Sequence, residues 1–161
     1  MHELYGIMMF LFRWTLLLSF LFPKELGDIE SIFSANTKNQ FVLDVESSLA
    51  RAQASQGIIP KWAADEISKK SKIKYLDSKE LKNETEKVKH RMAALLNVWT
   101  RSMKNEAGQY VHFGATTVDI YDNVLILQLK ACIQSLIDDL RNIELIMLQI
   151  SEKHKNTIMI G

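Results

Sequence analysis

The chain has 161 residues, 47% of them hydrophobic, with two prolines and six glycines. That is room for one domain, or for one domain and part of another, with apolar residues enough for a core and too few breakers for a disordered chain. Twenty Lys and Arg against 19 Asp and Glu give a net charge of +1, which excludes the basic footprint of a nucleic-acid-binding protein. A single cysteine, Cys132, excludes an internal disulfide and a multi-cysteine zinc site and points to a reducing, cytoplasmic setting.

The segment Leu4–Phe22 is almost wholly apolar over 19 residues, near the roughly 20 that a helix needs to span a bilayer. Arg13 sits close to its middle, where a charge costs roughly 2.5–3.5 kcal/mol on insertion scales. No basic region precedes it and no small-x-small cleavage site follows before Pro23 and Lys24. Three readings stay open: a packed or dangling apolar helix, a misplaced start site, and a membrane anchor.

From Gly27 the texture is that of a helical protein. Phe41, Val45, Leu49 and Ala52 recur at helical spacing, with Asp44, Glu46 and Arg51 off that stripe. Gly57 is expected to stop this helix in the left-handed conformation, and Pro60 suits the first turn of a short helix over Lys61 to about Lys70. Asp77 and Glu80 form a D-x-x-E capping signal. Leu81, Val88, Met92, Leu95, Trp99 and Met103 then continue one stripe, with a break expected near Asn83. His90 adjoins that stripe, as a partly buried structural histidine would. No strand-like alternation appears, so the fold class is all-α.

The stretch Tyr110–Asp119, YVHFGATTVD, precedes the longest element. Gly114 frees the backbone to turn and lets another group come close. Thr116 or Thr117 supplies an N-cap hydroxyl, and Asp119 a negative charge in the first turn. The N–H groups of that turn, with two hydroxyls and His112 upstream, make a receptor for a carboxylate or phosphate. From Thr117 to Lys155 there is neither Pro nor Gly, and Leu129, Ile133, Leu136, Leu140, Ile143, Met147 and Ile150 follow a 4-3-4-3 seam. Such a helix runs to roughly 58 Å, longer than the diameter of about 40 Å of a compact domain this size. Partner helices outside this chain are therefore expected.

Several blocks together carry a family likeness. Leu43–Gln53 (LDVESSLARAQ) followed by Gly57-Ile-Ile-Pro60 resembles the first helix of the fumarase/aspartase superfamily, in its adenylosuccinate lyase and carboxymuconate cycloisomerase branch. Lys89-His90 is similar to that branch's histidine-bearing region, Tyr110–Asp119 to its V-H-[FWY]-G-A-T-[ST]-x-D segment, and Glu152–Gly161 to the approach to its G-R-T-H motif. The likeness runs from about Gly27 to Gly161, with all four blocks in order.

After an apolar leader of open status over residues 1–26, the resemblance implies a small helical N-terminal domain over 27–115 and, over 116–161, the first long helix of a central bundle. It implies association of subunits through such bundles, a homotetramer in the family. The chemistry implied is β-elimination that releases fumarate from a dicarboxylate-bearing succinyl adduct, with no cofactor and no metal. That reaction needs a base, an acid for the leaving atom, and donors for the developing aci-carboxylate. By the motif, Thr116 and Thr117 bind substrate carboxylate, His112 and His90 orient the substrate or bind its anionic groups in supporting catalytic roles, and Asp119 caps. The sequence departs from the family in Arg91, where relatives carry Asp or Pro, and in lacking the Arg-Tyr pair expected near Phe22-Pro23-Lys24. The chain ends before the histidine of G-R-T-H and before the serine-bearing loop, so the expected acid and base are absent and an inactive N-terminal fragment is expected. A stand-alone helical interaction protein and a cycloisomerase of the same superfamily are the alternatives; no nucleic-acid partner is expected, and residues 4–22 are the stretch that would suit a membrane.

Overall fold

The computed structural model describes residues 29–158 and residue 160; the apolar segment over 4–22 lies outside them. Among the described residues there are six α-helices, two 3₁₀ turns and no strand. The all-α expectation holds. Phe33–Gln128 forms one compact unit, and Ile29–Ile32 belongs with the chain from Leu129 onward to another.

A single turn, α1 (Ile29–Ile32), is followed by α2 (Ala35–Ser55), which opens on Ser34, whose Oγ accepts from Thr37 N at 3.2 Å. Gly57, at φ +71°, ends α2 as expected. Around it Ile58 N donates to Gln53 O and Gly57 N to Ala54 O, a Schellman closure that satisfies the last carbonyls. The buried face differs from the expected stripe. Val42, Leu43, Glu46, Ser47 and Ala50 are buried, Phe41, Val45 and Leu49 flank them, and Ala52 is exposed. Glu46 therefore lies inside, not among the off-stripe charges.

Helix α3 (Lys61–Lys70) has the bounds expected for it, with the Pro60 carbonyl accepting from Ala63 and Ala64 at its start. Gln40 on α2 holds the connection that follows: its amide donates to Ser71 O and its oxygen accepts from Ile73 N, at the 3₁₀ turn Ile73–Tyr75. Helix α4 (Ser78–Val88) is capped by Asp77, which accepts from Glu80 N at 2.8 Å.

The stripe that sequence spacing joined is broken, but not at Asn83. The break falls at Lys89, in the left-handed conformation at φ 59°, and His90, which begins α5 (Arg91–Thr100). Helix α5 folds back antiparallel to α4: Glu84 takes bonds from Asn97 Nδ2 at 2.9 Å and Arg101 Nη2 at 3.0 Å, and Arg101 also pairs with Glu80. These donors, Asn97 first and then Arg101, hold the Glu84 carboxyl below its usual range. The bond thus adds stability above the ordinary carboxylate pKa and loses it as pH falls through the lowered value. The fold-back also buries Met92, Leu95, Val98 and Trp99 in the core.

After a 3₁₀ turn, Ala107–Tyr110, the chain enters α6 (Thr117–His154), which ends one residue short of the expected Lys155. Its first turns contribute Ile120 and Val124 to the core. Beyond them the seam residues Leu129, Ile133, Leu136, Leu140, Ile143, Met147 and Ile150 are each 41–64% exposed. The helix is also long and apolar enough to cross a membrane by length and composition. Exposed apolar surface on this scale drives association in water. Sedimentation of the purified chain at micromolar concentration should show a species larger than a monomer; a clean monomer would contradict that expectation.

Candidate functional site

The segment between the second 3₁₀ turn and α6 lies along α2. Gln53 Nε2 donates to Phe113 O at 2.7 Å, and His112 reaches Glu46. Gly114 adopts φ +68°, yet an added Cβ there would meet nothing within 4 Å. The demand for glycine is conformational rather than one of close approach. Helix α6 opens on a reciprocal capping box: Asp119 Oδ2 accepts from Thr116 N at 2.8 Å, and Thr116 Oγ1 accepts from Asp119 N at 3.5 Å. Thr116 is thus the cap and Thr117 the first helical residue, while the Asp119 carboxylate is taken up by the cap.

His112 stands at φ 60°, in the left-handed region, which few residues other than glycine adopt although histidine is enriched there. That backbone conformation turns its N–H onto Glu46 Oε2 at 3.1 Å while the ring Nδ1 meets Glu46 Oε1 at 2.5 Å. Glu46 is 1% exposed. Burial pushes its carboxyl up, and the hydrogen bonds and charge of His112 oppose that shift without cancelling it. Sequence reasoning missed Glu46 as part of this site. A signal was present, since Glu46 sits three and four residues after Leu43 and Val42 and four before Ala50, on one face.

His90 is exposed, not partly buried, and caps α5: its Nδ1 accepts from Ala93 N at 3.1 Å. Because Nδ1 accepts, the neutral ring carries its proton on Nε2 and presents a donor there. His90 and Thr117 line one cleft of about 500 Å³, a size suited to a small molecule. Its rim carries Lys38, Lys82 and Arg91 against a single carboxylate, Glu86, and Leu81, Met92 and Leu95 supply apolar surface. Lys38 Nζ lies 5.0 Å from the centroid of the Tyr121 ring. Burial raises the Tyr121 phenol, with Arg91 acting the other way. Two of the four expected site residues therefore share the cleft, while Thr116 and His112 lie off its lining. Among the described residues no group of three or more His, Cys, Asp or Glu is placed to hold a metal ion.

A family model described as Lyase matches residues 24–161. The chain belongs to this family, within the fumarase/aspartase superfamily. Among lyase relatives, the adenylosuccinate lyase of Methanocaldococcus jannaschii is 36% identical over 134 residues, covering 83% of this chain and 29% of the relative. The N-acetyl-S-(2-succino)cysteine lyase of Dickeya dadantii is 28% identical over 134 residues, covering 83% of this chain and 29% of the relative. The crystal structure of β-carboxy-cis,cis-muconate cycloisomerase from Acinetobacter calcoaceticus superimposes with a TM-score of 0.73 at 27% identity, covering 83% of this chain and 32% of that one. This lyase-family chain thus spans under a third of the length of each of these relatives.

Proposed function

We propose that the chain is the N-terminal part of an adenylosuccinate lyase-like enzyme that releases fumarate by β-elimination. The observation that carries this reading is the cleft that His90 and Thr117 both line, together with Lys38, Lys82 and Arg91. In it the Thr117 hydroxyl, the N–H groups of the first turn of α6 and the His90 Nε2–H hold a substrate carboxylate. Lys38 and Arg91 balance its charge. Thr116 holds the turn that presents Thr117, and His112 orients the substrate from the neighbouring loop. The base and acid for the elimination come from a further portion of the enzyme, so the 161-residue chain alone binds a dicarboxylate weakly and turns nothing over. Residues 27–115 serve as the N-terminal domain, and the helix from 116 as the first strut of a bundle that associates in a cytoplasmic homotetramer. The exposed seam of α6 favours a second role, as a helical interaction surface in its own right; the structural likeness to a cycloisomerase keeps that reaction as the alternative chemistry.

Co-expression tests the proposal. The chain is paired with the C-terminal portion of the Methanocaldococcus relative, and fumarate release from adenylosuccinate is assayed. Turnover should appear with the pair and with neither piece alone. Turnover by the chain alone, or an assembled pair that stays inert, would overturn it.

A further inference from the structure

We infer that Glu46 is a positioning residue that, with His112, forms one proton-sharing unit: the buried carboxylate fixes Nδ1 of the ring toward itself and makes Nε2 the atom that meets a ligand. The inference deepens the proposed site, since it rests on that reading for the ligand, an anionic oxygen of the substrate, but its first test does not.

Both oxygens of Glu46 are engaged by the same residue, one by the His112 backbone N–H at 3.1 Å and one by its ring at 2.5 Å. A loop held only for structure needs no more than the first of these bonds. The second orients the ring. It also comes with a left-handed backbone at a residue that has a Cβ, a conformation that persists where its surroundings over-determine it, commonly at functional sites. The Glu46 side chain is 1% exposed and that of His112 is 19% exposed, so the carboxylate is closed off from solvent while the imidazole bonded to it keeps some exposure.

Proton accounting follows from this geometry. With one proton between Oε1 and Nδ1 and another on Nε2, the pair is neutral overall, and Nε2–H donates to an anionic oxygen. Loss of the Nε2 proton to a ligand or to water leaves Nδ1–H bonded to the carboxylate, a net charge of −1, and a bare Nε2 that accepts. Only an N–H bond is broken. An ionised Glu46 facing an unprotonated Nδ1 would set two lone pairs against each other, so that tautomer is disfavoured. Of the charged groups nearby, Arg51 on α2 is engaged with Ser47 and Ser48, and Asp119 on α6 with Thr116. Tyr110, just before the loop, packs its ring on Trp62 of α3. His112 is the charged group whose effect reaches Glu46.

The test reads the tautomer of His112 in the full chain, labelled with ¹⁵N-histidine, through long-range ¹H–¹⁵N correlations across pH, with the signal assigned by His112→Gln. In the deprotonated form Nδ1 should carry the proton and Nε2 should be bare, the reverse of the preference of free imidazole. Glu46→Gln should lose that preference, and Glu46→Asp, a methylene too short to reach both nitrogens, should retain it in part. An Nε2–H tautomer in the unsubstituted chain would overturn the inference without recourse to any variant that might misfold. A tautomer unchanged in Glu46→Gln would overturn it as well. In the reconstituted enzyme Glu46→Gln should lower kcat by roughly tenfold or more with a smaller change in KM, the loss of one hydrogen bond to a charged group. Failure of reconstitution would count against the proposed function and leave the tautomer result to decide this one.

Discussion

In the reconstituted enzyme, His112→Ala is expected to lower kcat/KM by about 10²–10³-fold, the range found when one preorganised donor to developing charge is removed. The proposed elimination gathers negative charge on a carboxylate, and a donor aimed at that charge contributes more in the transition state than in the bound substrate. The His112 ring is suited to this because its orientation is fixed before substrate arrives, by the 2.5 Å bond to Glu46. The loss should therefore fall mainly on kcat. Thr117→Val removes a neutral hydroxyl donor, typically about 0.5–1.5 kcal/mol and so at most roughly tenfold, and should act more on KM. Steady-state kinetics of the two variants, purified with the same C-terminal portion, give both numbers. Undiminished kcat/KM for His112→Ala would show that the loop does not face the reacting substrate.

Trp99→Ala should destabilise the Phe33–Gln128 unit by about 3–5 kcal/mol, the cost of emptying a large buried aromatic site. Trp99 is 0% exposed and its Nε1 donates to Lys70 O at 2.8 Å, so one side chain ties α5 to the end of α3. The truncation leaves a cavity and also strips a donor from a part-buried carbonyl. With a urea slope of about 1–3 kcal/mol per molar, the unfolding midpoint should fall by 1 M or more. Trp99→Phe keeps most of the volume and loses the N–H, and should lie between. Urea titration followed by helical circular dichroism measures all three chains. A shift for Trp99→Ala within experimental error would mean that α5 does not pack where this fold places it.

Much of the helical organisation was legible because short-range chemistry decides it. Asp77 caps α4, Gly57 closes α2, and the bounds Lys61–Lys70 follow from a proline at one end and lysines at the other. The start of α6 at Thr117 and its long unbroken run come from a capping pair and from the absence of Pro and Gly. Each of these rests on groups within a turn or two of each other, where spacing in sequence is spacing in space. The lyase family likeness was legible for a related reason, as ordered blocks of residue types.

The misses share the opposite cause. The turn at Lys89 and His90 carries no Gly or Pro to announce it; the chain reverses there because α5 gains burial against the core, with Trp99 bonding to Lys70, 29 residues back. Glu46 lies on the row Val42–Glu46–Ala50, offset by one residue, or about 100°, from the expected stripe Phe41–Val45–Leu49. Periodicity alone cannot rank two such rows, and the charge of Glu46 argued for the wrong one. His112, 66 residues away in the chain, supplies the hydrogen bonds that stabilise that buried carboxylate. The sequence by itself determined the all-α class, several helix ends and the family; the tertiary structure decided where α4 gives way to α5, which face of α2 is inside and which residues meet. The physical reason is that a buried charge is stable only beside a partner, and that partner is set by the packing of distant segments.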